Sequence, residues 1–224
     1  MLIKADSGLH EQIALKILTS VPKGSRILDF GCGEGALSQR LNDLGYQMVA
    51  VDINDNDFKA NNIEFKKVNF NIRKEVEDFL IANKSRFDVV LGIETIEHIY
   101  NPYQYFDDLI FMLKKDGLLL ITTPNTTSWL SRIIFLFHGR FHQFADGDLQ
   151  YGHIAPITPW ELNVICNEKN LQNVEISEAG TLPIIYFNGI NKVFIFNLLA
   201  LLLRPFMKGY LDGWCIMLTA RKPV

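Results

Sequence analysis

Glu94, Glu97 and His98 stand three and four residues apart in the run Glu94-Thr95-Ile96-Glu97-His98, a spacing that a helical turn would gather on one face. Two carboxylates and an imidazole so placed can take a proton from a hydroxyl, or can share a divalent cation with a fourth ligand. His153, in Tyr151-Gly152-His153-Ile154-Ala155-Pro156, is that fourth group. Mixed carboxylate and imidazole donors suit magnesium, manganese and zinc alike. The preferred reading is the metal-free one, with Glu97, His98 and His153 as catalytic or acceptor-binding groups; a metal on Glu94, Glu97, His98 and His153 stays open.

A second constellation lies upstream. Ile27-Leu28-Asp29-Phe30-Gly31-Cys32-Gly33-Glu34-Gly35 ends an apolar run in a glycine turn, where backbone can approach a ligand and the next helix offers free N–H groups. Asp52 ends the following strand about 20 residues on, where a carboxylate can accept from both hydroxyls of a ribose. An adenosine-containing cofactor is expected. Gly31, Gly33 and Ala36 also satisfy the dinucleotide pattern, so a nicotinamide nucleotide and its oxidoreductase chemistry remain an alternative. Asp29 discriminates: a buried carboxylate wants a cationic partner. It would repel a pyrophosphate, whereas S-adenosylmethionine brings an α-ammonium and a sulfonium.

The elements that must carry these residues alternate. Apolar spacing predicts helices over 7–20, 34–44, 73–83, 103–113, 129–137 and 159–169, and strands over 26–30, 47–52, 63–68, 87–92, 118–122, 171–177 and 214–220. Strand and helix in turn imply an α/β, doubly wound, mostly parallel seven-stranded sheet. The last strand, reached by a long excursion, is expected antiparallel. Both constellations then fall at the carboxyl ends of strands, where ligands of open α/β sheets bind.

On these residues the chain resembles class I S-adenosylmethionine-dependent methyltransferases. Ile27 to Gly35 is similar to their motif I, Val49 to Asp52 to the ribose-binding strand end, Val68 to Asn71 to the adenine segment and Phe87 to Glu94 to the fourth-strand motif. The likeness covers roughly Leu9 to Ser177. It implies that Asp29, Gly31, Gly33, Gly35, Asp52, Ile53, Asn69, Phe70 and Glu94 bind the cofactor. Asn69 stands where the family often has an acid, and its amide carbonyl could meet the adenine amino group. The Glu-Glu-His-His set is similar to that of ubiquinone-pathway O-methyltransferases and small-RNA 2'-O-methyltransferases, which implies methyl transfer to a hydroxyl. A non-catalytic S-adenosylmethionine-binding scaffold is the reading from another class.

With 224 residues, 48% of them apolar, the chain suits a single methyltransferase domain, 1–224. A net charge of -3 without a basic run disfavours nucleic acid. Cys32, Cys166 and Cys215 suit reduced thiols. Met1 to His10 lacks the apolar core of a secretory signal, so a cytoplasmic location is expected. Insertions at about 126–158 and 181–212 are apolar and flanked by cations. The first offers Trp129, Ile133, Phe135 and Phe137; the second offers Ile184, Tyr186, Phe187, Val193, Phe194 and Phe196. They are expected to form a lid over a small-molecule or lipid-linked acceptor, to touch a membrane peripherally, or to build a homodimer.

Overall fold

The computed structural model describes residues 8–183, 185 and 191–224, with the backbone alone for 191–196. Its centre is a seven-stranded sheet in the order β3-β2-β1-β4-β5-β7-β6. The strands are β1 (Arg26–Phe30), β2 (Gln47–Asp52), β3 (Glu64–Lys67), β4 (Phe87–Ile93), β5 (Leu113–Pro124), β6 (Gln172–Ala179) and β7 (Cys215–Arg221). The first five are parallel, and β7 runs antiparallel between β5 and β6. The expected class and the reversed last strand are both present.

Side-chain alternation divides the interior into two cores. Leu28, Phe30, Val49, Val51, Val90 and Leu119 face one side, where α3 (Arg73–Asn83), α4 (Pro102–Met112) and α6 (Pro159–Glu168) pack. Ile27, Met48, Val89, Leu91, Leu118 and Leu120 face the other, under α1 (Leu9–Ser20) and α2 (Ala36–Asp43). Asp29 shares the parity of Ile27, so its carboxylate falls on the α1/α2 side. β5 starts five residues earlier than its apolar run because Leu113 pairs with Phe87 ahead of an irregular register. β6 runs on to Ala179 because β7 continues to pair with it through Cys215.

The first insertion opens with α5 (Trp129–His138), which Ser128 caps by accepting from Ser131 N–H. Trp129, Leu130 and Ile133 pack with Leu182 and with Ala200 of α7 (Asn191–Leu203), a small core outside the sheet. Leu198, Leu201 and Leu202 on α7 and Phe135, Leu136 and Phe137 on α5 are exposed. Of the second insertion, Ile184, Tyr186 and Phe187 lie outside the described residues, as do the side chains of Val193, Phe194 and Phe196. Among the described residues no helix is long and apolar enough to cross a membrane. Cys32, Cys166 and Cys215 are not joined in disulfides.

Candidate active site

β1 delivers its chain into the glycine turn, and β2 holds one side of it: Gly31 N–H and Cys32 N–H both donate to the Val51 carbonyl, at 2.8 and 3.1 Å. Gly31 has φ +110°, and a Cβ there would lie 2.2 Å from Thr95 Oγ1. Only glycine fits. Gly33 N–H donates to Asp52 Oδ2 at 2.8 Å, while Asn54 N–H reaches Oδ1 at 3.3 Å. Asp52 therefore braces the turn and keeps lone pairs for a ligand. Gly35, at φ +86°, starts α2.

Asp29 is 1% exposed, and Ser38 Oγ of α2 donates to its Oδ2 at 2.5 Å. Burial pushes its carboxyl up to about 6, the Ser38 bond pulls it down, and the neighbouring Asp52 charge pushes it further up. A carboxylate so placed gains most from a cation. The Cys32 thiol beside it is raised by burial and by Asp29 and Asp52, so it stays protonated. Ile53 is exposed at the mouth. Asn69 Oδ1 accepts from Asn71 N–H at 3.0 Å, and the Phe70 ring packs 4.2 Å from that of Phe30. Both side chains are therefore committed to the loop and the core beneath it. A cavity of about 260 Å³ lies there, between Phe70, Asn71 and Tyr100.

Across the mouth, the single helical turn expected over Glu94–His98 is replaced by a break and a short 3-10 turn. Glu94 takes a left-handed φ of +47°, and the 3-10 turn covers only Ile96–His98. The cause is β5: Glu94 N–H donates to Thr122 O at 3.2 Å, extending the β4 pairing one residue beyond the strand. Glu94 then points Oε2 at Cys215 Sγ, 3.3 Å away on β7. Glu97 is fully buried and accepts from Thr123 Oγ1 at 3.3 Å. Its Oε1 has no hydrogen-bond partner among the described residues. Burial, and next the Glu94 charge, raise Glu97 well above the usual carboxylate range.

His98 Nε2 lies 3.9 Å from Glu97 Oε1, and the His98 and His153 rings meet edge to face at 4.9 Å. Their contact is set by backbone: Ile154 N–H and Ala155 N–H both donate to the Glu97 carbonyl, at 2.9 and 3.0 Å. Gly152, at φ +84°, leaves the room that a Cβ 3.1 Å from His98 Nδ1 would take. His153 Nδ1 donates to Gln143 O at 2.8 Å, which leaves Nε2 as the acceptor nitrogen. Burial, then the neighbouring His153, lower His98, so it is neutral at pH 7. One ligand atom from each of Glu97, His98 and His153 lies within 4.8 Å of the others. Glu94 stands outside that trio.

Sequence spacing did not single out Thr95, Ser38, Thr123 or Cys215, each placed by a contact between distant elements. Gly152, immediately before His153, carried a readable signal. Beside His153 opens a second cavity, of about 420 Å³, lined by Phe135, Phe141, Phe144, Leu149 and Ile154. Phe141 stacks on Phe135 at 4.8 Å, and Phe144 tilts against His153 at 5.6 Å. Residues 135–154 of the first insertion thus line an aromatic cavity that His153 borders.

Comparison with known proteins fits this geometry. A ubiquinone biosynthesis O-methyltransferase of Parvibaculum lavamentivorans is 36% identical over 104 residues, 46% of this chain and 41% of that protein. One of Pelagibacter ubique is 29% identical over 178 residues, 79% of this chain and 68% of that protein. For most of these curated relatives the matched stretch spans about half their length or less. A SAM-dependent methyltransferase structure from Archaeoglobus fulgidus superposes with TM-score 0.64 at 19% identity, covering 95% of this chain and 94% of that one. The methyltransferase of the Haloferax volcanii Trm112 complex gives 0.65 at 13% identity, covering 97% and 90%. These two likenesses concern the fold. The family model described as a methyltransferase domain matches residues 6–176, which resolves the choice that the glycine turn left between a methyl donor and a nicotinamide nucleotide. The chain belongs to the methyltransferase domain family.

Proposed function

We propose that the domain moves a methyl group from S-adenosylmethionine to a hydroxyl oxygen of a small acceptor that carries an apolar tail. The observation behind this reading is the His98-His153 ring pair beside an aromatic cavity, with a buried carboxylate at the glycine turn. The relatives named as O-methyltransferases support it. When bound, the cofactor supplies an activated methyl on a sulfonium. Asp29 holds its α-ammonium, Asp52 its ribose hydroxyls, and Ile53 with the Asn69-Phe70 loop borders the adenine. Gly31, Gly33 and Gly35 keep the turn low enough for that approach, and Glu94 closes the methionine end.

His98 takes the acceptor proton, since a neutral alcohol is a poor nucleophile and a neutral imidazole a competent base. His153, its Nδ1 donating to the Gln143 carbonyl, packs against His98 and walls the acceptor side. Glu97, held protonated by burial, donates a hydrogen bond to the acceptor oxygen. The exposed Phe135, Leu136 and Phe137 of α5 and Leu198, Leu201 and Leu202 of α7 offer apolar surface, and we place it against a bilayer surface at which a lipid-linked acceptor is delivered. Labelled donor is offered with paired hydroxyl acceptors, with and without an alkyl or isoprenoid tail, in the presence and absence of vesicles. Tailed acceptors are expected to be preferred, and Phe141→Ala to raise their KM about tenfold, in line with a methylene-scale loss of about 1–3 kcal/mol. Label found only in RNA or protein sinks the acceptor assignment, and donor binding without transfer to any pool favours a scaffold.

A second reading has its own observation: the unpartnered, buried Glu97 Oε1 faces His98 Nε2 and the ring of His153. That trio fits a divalent cation, which would supply Lewis-acid activation of the acceptor hydroxyl. Glu97 and the two imidazoles would hold it, with the carboxylate ionised. Calorimetric titration with Mn²⁺ is then expected to give a saturable heat that Glu97→Gln abolishes. Methyl transfer indifferent to a chelator, with no such heat, assigns proton removal to the imidazoles alone.

A further inference from the structure

We infer that Thr95 and Tyr105 form a buried buttress that holds the glycine turn at a set distance from the Glu97-His98 segment, so that both are positioning residues for methyl transfer. This rests on the reading of that turn as the cofactor cradle. The β1–β4 ladder runs from Ile27↔Val89 to Asp29↔Leu91. One residue further, the Phe30 carbonyl takes the Tyr105 hydroxyl of α4 at 2.8 Å. Tyr105 is 2% exposed, and its ring stacks on that of Phe30 with centroids 5.7 Å apart. The next residue, Gly31, has no side chain, and Thr95 fills its place: Oγ1 and Cγ2 lie 2.2 and 2.7 Å from where a Cβ would be.

Thr95 is itself pinned. It is 6% exposed, and its Oγ1 donates to the Ile93 carbonyl at 2.9 Å. Its own carbonyl accepts from His98 N–H at 3.0 Å. One short segment therefore touches the cofactor turn with its side chain and the candidate base with its backbone. β2 grips the opposite side of the turn through Val51. The turn is clamped from both flanks, by β2 on one and by the Thr95-Tyr105 pair on the other. In-line transfer depends on sub-ångström placement, and a 1 Å error can cost about 10²-fold in rate.

The test compares Thr95→Val, Thr95→Ser and Tyr105→Phe with Ile165→Val, a buried change in α6 remote from the site. S-adenosylhomocysteine binding by calorimetry and kinetics in the cofactor and in the acceptor are measured well below each melting temperature. The expected result for Thr95→Val and Tyr105→Phe is a fall in kcat of about 10- to 100-fold with the acceptor KM unchanged. Thr95→Ser retains more activity than Thr95→Val, and Ile165→Val keeps the wild-type kcat. If the buttress variants lose melting temperature like Ile165→Val while kcat holds, the pair is merely structural and the inference is overturned. Asp52→Asn separates the two levels. Wild-type protein that binds no S-adenosylhomocysteine removes the cofactor reading and the buttress with it. Binding that Asp52→Asn weakens, alongside unchanged kcat in the Thr95 and Tyr105 variants, removes the buttress alone.

Discussion

His98→Ala is expected to lower kcat by about 10²- to 10⁴-fold, the usual worth of a positioned base, while S-adenosylhomocysteine binds as tightly as to wild type. The separation follows from the geometry. His98 projects from the 3-10 turn after β4 toward His153, whereas Asp29 and Asp52, the carboxylates of the proposed cofactor cradle, sit near the ends of β1 and β2. Burial lowers His98 from the ordinary 6.5, with the neighbouring imidazole adding to it. The base form therefore predominates at neutral pH. Activity should rise with pH through a value below 6.5 and run flat above it, and His98→Ala should remove that limb. A His98→Ala enzyme with near-wild-type kcat sinks the assignment.

Asp29→Asn is expected to weaken S-adenosylhomocysteine binding about 30-fold or more, since breaking a buried, hydrogen-bonded charge pair costs about 2–5 kcal/mol. The amide keeps the shape and can still accept from Ser38, so the loss reports charge. Wild-type affinity should climb as pH rises through about 6, where the buried carboxyl ionises, and Asp29→Asn should lose that limb. Stability of the cofactor-free protein runs the other way. The folded carboxyl lies above its usual 3.8, so the folded state binds more protons than the unfolded one across that window. Stability conferred at acid pH is then lost as pH rises from about 3.8 to about 6. Asp29→Asn should flatten that slope and leave the empty protein at least as stable as wild type at neutral pH. Equal affinities for the two proteins across the range sink the role of Asp29.

Ser38 explains how the charge can sit there: one hydroxyl bond from α2 partly compensates a fully buried carboxylate. Similar logic applies to Glu97, which Thr123 compensates on one oxygen and leaves open on the other.

The strands and helices were legible because each is short, periodic and closed by its own stop. β1 and β2 match their apolar runs, and Arg73–Asn83 matches its helical spacing. Ends were less legible where pairing with a distant strand sets them, as at Leu113 and Ala179. Around Glu94 the local helical spacing misled. Residues 94, 97 and 98 have the spacing of one helical face, but Thr122 on β5 claims the Glu94 amide and forces the left-handed break. A backbone hydrogen bond made across the sheet outweighs an isolated turn, whose nucleation is unfavourable.

What the sequence by itself determined is the chemistry available: a glycine turn flanked by two acids, a Glu-His segment after the fourth strand and a histidine in the later insertion. Their types and their order along the sheet put two acids and the Glu-His segment at the carboxyl edge of neighbouring strands. Tertiary structure alone decided which of them meet. His153 reaches His98 because two amides beside it bond the Glu97 carbonyl, and Glu94 leaves the trio because β5 and β7 hold it elsewhere. Such contacts join residues from 26 to 121 positions apart, beyond the reach of helical or strand periodicity, which describes a residue only relative to its near neighbours.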